Sequence, residues 1–380
     1  MPLPPNETKL EAVERKDMFV GWRDLRFAKG RFALISGVVM LMTLLVGFLS
    51  GLTGGLAAQN ISGLLSLGAD HIVFGSQTVA NPLFSTSALS QDAVSRWSSA
   101  AGSTAKVSPM GITQLRAESG DTTSGTSTAV AVFGQNSVLP GSSVQVPSSD
   151  SQVILSSGAA KALGVKVGDT ITLVRSPFTV EAIEGDLWYS HSPVVSTTLS
   201  TWQHLQQTLG GASDTEATIL AVAGSGDFSK ADAAADTVNK ALLPSLMSLD
   251  SFRSEAGSLL MIIGMLFAIT ALVIGAFFTV WTLQRKADIA ILRAMGAPSR
   301  ALRRDALGQA LIVLALGVGV GLLLVVGLGL LASGALPFLF SPLTTVVPAL
   351  LMVLLGMLGA LFAVRSITHT DPLEALGANR

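Results

Sequence analysis

The chain has 380 residues, of which 49% are hydrophobic and 13% are charged, and its formal net charge is −1. These proportions are unusual for a soluble domain of this length and favour a membrane protein. The chain contains no cysteine, which excludes disulfides, thiolate metal ligands and redox chemistry through sulfur.

Charged residues are absent from three long stretches, residues 32–69, 256–284 and 306–364. A helix needs about 20 apolar residues to cross roughly 30 Å of hydrocarbon. The first two stretches therefore have room for one spanning helix each, and the third has room for two. Pro337 and Pro342 mark the turn between the last two helices.

The predicted fold is a membrane protein with four transmembrane α-helices and an α+β extracytoplasmic domain inserted between helices 1 and 2. The predicted segments are an amphipathic cytoplasmic N-terminal segment (1–31), helix 1 (32–57), the extracytoplasmic domain (58–252), helix 2 (253–283), a cytoplasmic loop (284–304), helix 3 (305–334), a short extracytoplasmic turn (335–343), helix 4 (344–365) and a cytoplasmic tail (366–380). Inside the inserted domain, apolar patterns predict strands at 129–133, 152–155, 170–174 and 218–222, and short helices at 159–163 and 201–209.

The distribution of charge predicts which side of the membrane each segment of the chain faces. Lys and Arg are enriched in the cytoplasmic segments that flank membrane spans. The segments outside residues 70–255 carry fifteen cationic and nine acidic side chains, whereas residues 70–255 carry nine cationic and sixteen acidic ones. We therefore expect a multi-pass protein of the plasma membrane with both termini in the cytoplasm.

No catalytic constellation is found in the sequence. The four histidines, at positions 71, 191, 204 and 369, have no metal-binding spacing, and we expect them to be structural or exposed to solvent. A glycine-rich phosphate loop ending in Gly-Lys-Ser/Thr is absent. We predict no catalytic residue, no intrinsic cofactor, no metal site apart from haem iron and no nucleic-acid partner. If ATP drives this protein, then ATP and Mg bind to a separate chain.

The segment after helix 2 is the most informative one, and residues 284–298 read QRKADIAILRAMGAP. Asp288 favours the first turn of a short helix, Gly296 is placed as its C-terminal cap, and Pro298 prevents continuation. Its apolar side chains need a surface to cover them. That surface is either the membrane interface or a groove on a partner protein.

This segment resembles the coupling region of ABC permeases of the FtsX and MacB type, where Glu and Leu are usual at the positions of Asp288 and Met295. Residues 19–34 resemble the amphipathic N-terminal helix of that family, residues 371–376 its C-terminal tail, and residues 156–173 part of its extracytoplasmic domain. The resemblance covers most of the chain, and the segments occur in the order that is usual in the family.

The resemblance implies a homodimeric permease bound to two copies of a separate cytoplasmic ABC ATPase. ATP-driven closure of the ATPase would move the helices and the external domain, which is mechanotransmission. The residues implied in ATPase coupling are Asp288, Ile289, Ile291, Leu292, Arg293, Met295 and Gly296.

Gly47, Gly51 and Gly55 recur every four residues in helix 1. Such spacing permits close helix approach, and it suggests a dimer face. Packing within one subunit explains the same spacing. Gly317 and Gly321 repeat the pattern in helix 3.

Within the family, the chain resembles haem-exporting permeases of Gram-positive bacteria and lipid-exporting relatives. Haem suits an apolar site with thioether ligands for the iron and a polar rim for the propionates. The candidate substrate residues are Met40, Met42, Arg253, Glu255, Met261 and Met265. Methionine also fills gaps in apolar packing, so each methionine has a plain structural explanation.

Three functions from different classes remain open. The first is efflux of haem in haem detoxification, or export of a lipid, peptide or drug. The second is a non-transporting, FtsX-like regulator of an extracytoplasmic partner. The third is a membrane sensor that works with a kinase.

Overall fold

The computed structural model describes residues 29–75, 81–102, 105–120, 125–284 and 298–368. The chain divides into two compact units. The described parts of 1–54 and 259–380 form the membrane unit, and residues 55–258 form the inserted domain.

The helices of the described residues differ greatly in length. In chain order they are α1 (Lys29–Leu65), α2 (Gln91–Ala101), α3 (Ser157–Leu163), α4 (Leu199–Thr208), α5 (Ser229–Ala235), α6 (Leu242–Ser245), α7 (Asp250–Gln284), α8 (Ser299–Ala332) and α9 (Pro342–Thr368), with a 3₁₀ turn at Leu246–Ser248. Among them, α1, α7, α8 and α9 are long and apolar enough to span a membrane. The protein is therefore a multi-pass membrane protein with a domain between its first and second spanning helices.

All four spanning helices extend beyond the expected ranges at one end or both, and α1 and α8 extend furthest. The helix α1 continues to Leu65 rather than ending at 57, because Ile61 and Leu64 are buried in the core of the inserted domain. The helix α8 begins at Ser299 rather than 305, directly after Pro298 at its N-cap position. Burial and backbone breakers set these ends, and the hydrophobic run alone does not.

Within the membrane unit, α1 packs closely on α8. A Cβ atom on Gly317 would lie 2.7 Å from Val39, and one on Gly321 would lie 2.6 Å from Thr43, so the glycines let the two helices approach closely. Phe32 of α1 also contacts the ring of Trp281 of α7, with ring centroids 6.0 Å apart.

The strands of the inserted domain are β1 (His71–Gly75), β2 (Leu89–Ser90), β3 (Lys106–Ser119), β4 (Ser127–Gln135), β5 (Gln152–Leu155), β6 (Thr170–Leu173), β7 (Ser176–Ile183), β8 (Trp188–Tyr189), β9 (Ser192–Thr197), β10 (Thr215–Ala217), β11 (Ile219–Ala223) and β12 (Thr237–Ala241). The main sheet has the order β12-β1-β11-β3-β4-β9-β5-β7-β6, and β8 pairs with β9. Because β3 also pairs with β6, the part of the sheet with the order β3-β4-β9-β5-β7-β6 closes into a ring. The predicted strands match β4, β5, β6 and β11, and the predicted helices match α3 and α4.

The closed part of the sheet is filled around Trp202 of α4. Its ring lies on Gly111 and Gly134, where a Cβ atom would come within 2.0 and 2.3 Å of the indole side chain, and its Nε1 donates to Thr113 Oγ1 at 2.8 Å. On the open part of the sheet, the buried carboxylate of Asp232 accepts from Trp97 Nε1 at 2.9 Å. These contacts fix the helices to the sheet.

Candidate functional site

The predicted ATPase-coupling residues all lie in 285–297, which is outside the described residues. The structure describes the two flanks, since α7 ends at Gln284 and α8 begins at Ser299. The coupling assignment stays a prediction.

The glycine series of α1, predicted as a dimer face, has close contacts within the chain. Gly47 is buried against Val325 of α8, where a Cβ atom would come within 2.7 Å of the valine side chain. Gly51 is buried under the ring of Phe338, and Gly55 is also buried within the chain. For Gly47 and Gly51 these contacts favour packing within one subunit, the second explanation of their spacing, and the dimer face stays a prediction.

The candidate methionines fall into two groups. Met261 and Met265 lie one helical turn apart on α7, and their side chains are 63% and 60% exposed. Met42 is half-buried against the core of the membrane unit, with Thr270 Oγ1 3.9 Å from its sulfur. Met40 is half-buried on α1, and its carbonyl oxygen faces Gly321. The structure thus presents the α7 pair and packs Met42 into the bundle.

The two charged candidates at the start of α7 have separate partners in the inserted domain. Arg253 pairs with Asp250 at 3.1 Å, and both side chains are about half exposed. Glu255 accepts from Asn60 Nδ2 at 2.8 Å through Oε2, and its Oε1 lies 2.8 Å from His191 Nε2. The carboxylate therefore has a partner on each oxygen.

Glu255 belongs to a larger group that we call the polar junction, made of Asn60, Ser190, His191, Ser251 and Glu255. Ser251 Oγ donates to Asn60 Oδ1 at 2.6 Å, and Ser190 Oγ donates to Ser251 Oγ at 2.9 Å. The junction joins the end of α1, the turn between β8 and β9, and the first turns of α7. All five residues belong to the inserted domain.

Sequence reasoning missed Asn60 and His191 as members of a common group. Asn60 is fully buried, and it lies within a stretch that has no charged residue. Burying a polar side chain in such a stretch costs free energy unless it has hydrogen-bond partners. The position of Asn60 was therefore a signal in the sequence that its side chain has polar partners. His191 follows a tyrosine and a serine in a turn, and nothing in its sequence neighbourhood predicted its partners.

The inserted domain also carries an open cleft of about 530 Å³. It is lined by hydroxyl and amide side chains and by the carboxylates of Asp92, Asp214 and Glu216. Within the described residues, no group of three or more His, Asp or Glu side chains could hold a metal ion. The cleft is therefore polar and acidic without a metal-ligand cluster.

Comparison with known sequence families decides the identity of the chain. The family described as MacB-like periplasmic core domain matches residues 32–240, which is more than half of the chain. The family described as FtsX-like permease C-terminal matches residues 260–372. The chain belongs to the FtsX and MacB family of ABC transporter permeases. As a permease subunit it is not itself an enzyme, and it requires a partner ATPase.

Individual relatives match over nearly the full length. A protein of Staphylococcus haemolyticus that carries the name hemin transport system permease protein HrtB is 25% identical over 95% of this chain and 99% of its own length. A protein of the same name from Staphylococcus epidermidis is 25% identical over 96% of this chain and 100% of its own length. The crystal structure of the periplasmic region of MacB from Actinobacillus actinomycetemcomitans covers 50% of this chain and 95% of its own, with 16% identity and a TM-score of 0.32.

Proposed function

We propose that this permease exports haem from the membrane and thereby protects the cell from haem. The observation that carries the proposal is the match, over nearly the full length, to relatives whose name is hemin transport system permease. A match of this extent includes the four spanning helices and the inserted domain together. The same architecture therefore serves in those relatives and in this chain.

The exposed methionine pair supports the choice of substrate. Haem is a flat apolar macrocycle whose iron accepts a thioether ligand. Met261 and Met265 project from one face of α7, in a charge-free stretch, and more than half of each side chain is exposed. They offer soft ligands to a molecule that reaches the helix through lipid.

A second copy of the chain completes the membrane unit. None of the residues 259–269 of α7 is buried. In the apolar stretch of α7 only 11% of the residues are buried within the chain, compared with 33% in the apolar stretches of α1, α8 and α9. Gly264 has open space around its Cα atom. We assign the part of this face around Gly264 to the homodimer interface, because the α1 glycines Gly47 and Gly51 are covered within the chain. Met261 and Met265 lie at the edge of that interface, where haem reaches them from the lipid.

The partner is a cytoplasmic ABC ATPase in two copies, and both termini of this chain lie in the cytoplasm beside it. The ATPase, with ATP and Mg, docks on the segment between α7 and α8. Its closure moves α7 and α8, and this movement expels haem by mechanotransmission. The charge asymmetry between residues 70–255 and the remainder supports the orientation.

The experiment is a haem titration of the detergent-purified complex of this chain with its partner ATPase, monitored by Soret absorbance. We expect a saturable shift that is lost in Met261→Leu/Met265→Leu. Met357→Leu is the matched control, because Met357 is packed against the core of the membrane unit. Loss of ATPase binding in the double variant would mean misfolding, and co-purification checks this.

Other outcomes separate the alternatives. An active complex without a haem shift would contradict haem export and leave a lipid, peptide or drug as substrate. A complex that moves no amphiphile, but binds an extracytoplasmic protein in an ATP-dependent way, would identify an FtsX-like regulator.

A further inference from the structure

The turn between β8 and β9 is tied to the end of α1 by main-chain hydrogen bonds. The backbone N–H groups of Ser190 and His191 donate to the carbonyl oxygens of Asn60 and Gln59 at 3.0 and 2.9 Å. Two residues before Ser190 on the same hairpin, the N–H of Trp188 donates to Ser62 Oγ at 2.9 Å. The end of α1 therefore holds the hairpin through its backbone, whatever the side chains of the turn are.

The same turn is tied to α7 by side chains. With its proton on Nε2, His191 donates to Oε1 of Glu255, while Asn60 donates to Oε2, so each carboxylate oxygen receives a donor. Ser251 bridges Ser190 and Asn60 from the first turn of α7. Hydrogen bonds to a charged carboxylate are stronger than neutral ones, and Asn60 is fully buried.

The turn has an unfavourable backbone conformation that its neighbours maintain. Ser190 and His191 have φ angles of 48° and 62°, in the left-handed region that glycine or asparagine usually occupies in such turns. A strained backbone persists only where the surroundings over-determine it. Here the two N–H groups, both side chains and the Ser190 carbonyl, which accepts from Gln114 Nε2 at 3.3 Å, all have partners.

We propose that the polar junction is a fixed joint that transmits the movement of α1 and α7 to the sheet of the inserted domain. This proposal rests on the mechanotransmission proposed above, but not on the identity of the substrate. Asn60 and His191 are positioning residues in it. The joint stays closed throughout the ATPase cycle, and α1 and α7 act on the β8–β9 hairpin together.

The test measures hydrogen–deuterium exchange of the complex with its ATPase, with and without ATP, in a lipid nanodisc. In the unchanged complex we expect ATP to alter exchange in strands β4 and β9, beyond the hairpin. His191→Ala and Glu255→Gln should lose this ATP-dependent difference while ATPase binding and hydrolysis persist. His191→Gln restores a side-chain donor and should restore the difference. Arg96→Ala, which breaks an exposed ion pair with Asp92, is the control.

A cysteine pair tests whether the joint is fixed. The chain has no cysteine, so Ser190→Cys/Ser251→Cys can form a single disulfide within the chain, where the two hydroxyl oxygens are 2.9 Å apart. We expect the oxidised variant to keep the ATP-dependent difference. Loss of that difference on oxidation, with recovery on reduction, would overturn the fixed joint.

The remaining outcomes also decide. A normal ATP response in both His191→Ala and Glu255→Gln would overturn the proposal, and so would the absence of any ATP response in the unchanged complex. If haem does not bind but the exchange results are as expected, then the joint stands and the proposed substrate fails.

Discussion

The ring of Phe338 lies directly on the backbone of Gly51, where a Cβ atom would come within 2.2 Å of Cζ. Gly329 of α8 faces the same ring, and a Cβ atom there would lie 2.8 Å from it. The N–H of Leu339 donates to the carbonyl oxygen of Gly51 at 3.0 Å. The Phe338 ring thus fills a narrow gap between the backbones of Gly51 and Gly329, which we call the slot, and it anchors the short connection between α8 and α9.

The slot predicts the effect of adding a single methyl group. Gly51→Ala should lower the free energy of unfolding by about 1–3 kcal/mol, because the ring or the helix must shift. Thermal unfolding of the detergent-solubilised chain measures the loss. In a Phe338→Ala background the same change should cost much less. Gly319→Ala is the control, since Gly319 has open space around it. Equal losses at Gly51 and Gly319 would contradict the slot.

The proposed dimer face predicts a site-specific cross-link. Gly264→Cys on α7 should form a disulfide-linked dimer under mild oxidation in the membrane, which non-reducing electrophoresis detects. The chain has no cysteine of its own, so the band has one origin. Gly319→Cys on α8, which is equally open within the chain, should stay monomeric. Cross-linking at Gly319 but not at Gly264 would move the interface to α8.

The coupling segment predicts a change that separates folding from ATPase docking. Ile291→Asp places a charge in the apolar part of the segment, and we expect it to abolish co-purification of the ATPase. Membrane insertion and yield should be unchanged, because residue 291 lies between the two helices α7 and α8. Arg300→Gln, in the first turns of α8, is the control. Normal ATPase binding and transport in Ile291→Asp would contradict the coupling assignment.

The inserted domain should lose stability in acid through the carboxylate of Asp150. The hydroxyl groups of Thr198 and Ser200 donate to it and hold its pKa below the usual range. A depressed pKa in the folded state gives stability that is present above the unfolded-state pKa and lost as the pH falls through the folded-state pKa. Unfolding in urea, monitored by the susceptibility of the inserted domain to proteolysis, should show this loss below about pH 4. Asp150→Asn should flatten that part of the profile, and an unchanged slope would refute the assignment.

The family and the four spanning helices could be predicted because both signals are local. Charge-free stretches such as 256–284 mark the membrane directly, and the helix-period and strand-period patterns at 159–163 and 152–155 identify short elements of the inserted domain. Helix ends were less predictable. The extension of α1 to Leu65 depends on burial of Leu64 in a core that only the folded domain creates.

The polar junction could not be predicted, because its members are far apart in the chain. Asn60 meets His191 and Glu255 only after the inserted domain has folded between α1 and α7. The packing partners of the α1 glycines could not be predicted for a related reason. Spacing shows that close approach is possible, but it does not say whether Gly47 meets a second subunit or, as found, Val325 of the same chain.

The most direct test of the account is ATP-driven haem movement in proteoliposomes. The complex of this chain with its ATPase is reconstituted with haem in the lipid, and apomyoglobin on the side opposite the ATPase reports haem that leaves the membrane. We predict haem transfer that depends on ATP and is lost in Met261→Leu/Met265→Leu, while ATP hydrolysis continues. Vigorous ATP hydrolysis with haem transfer no faster than in the absence of ATP would contradict the proposed function.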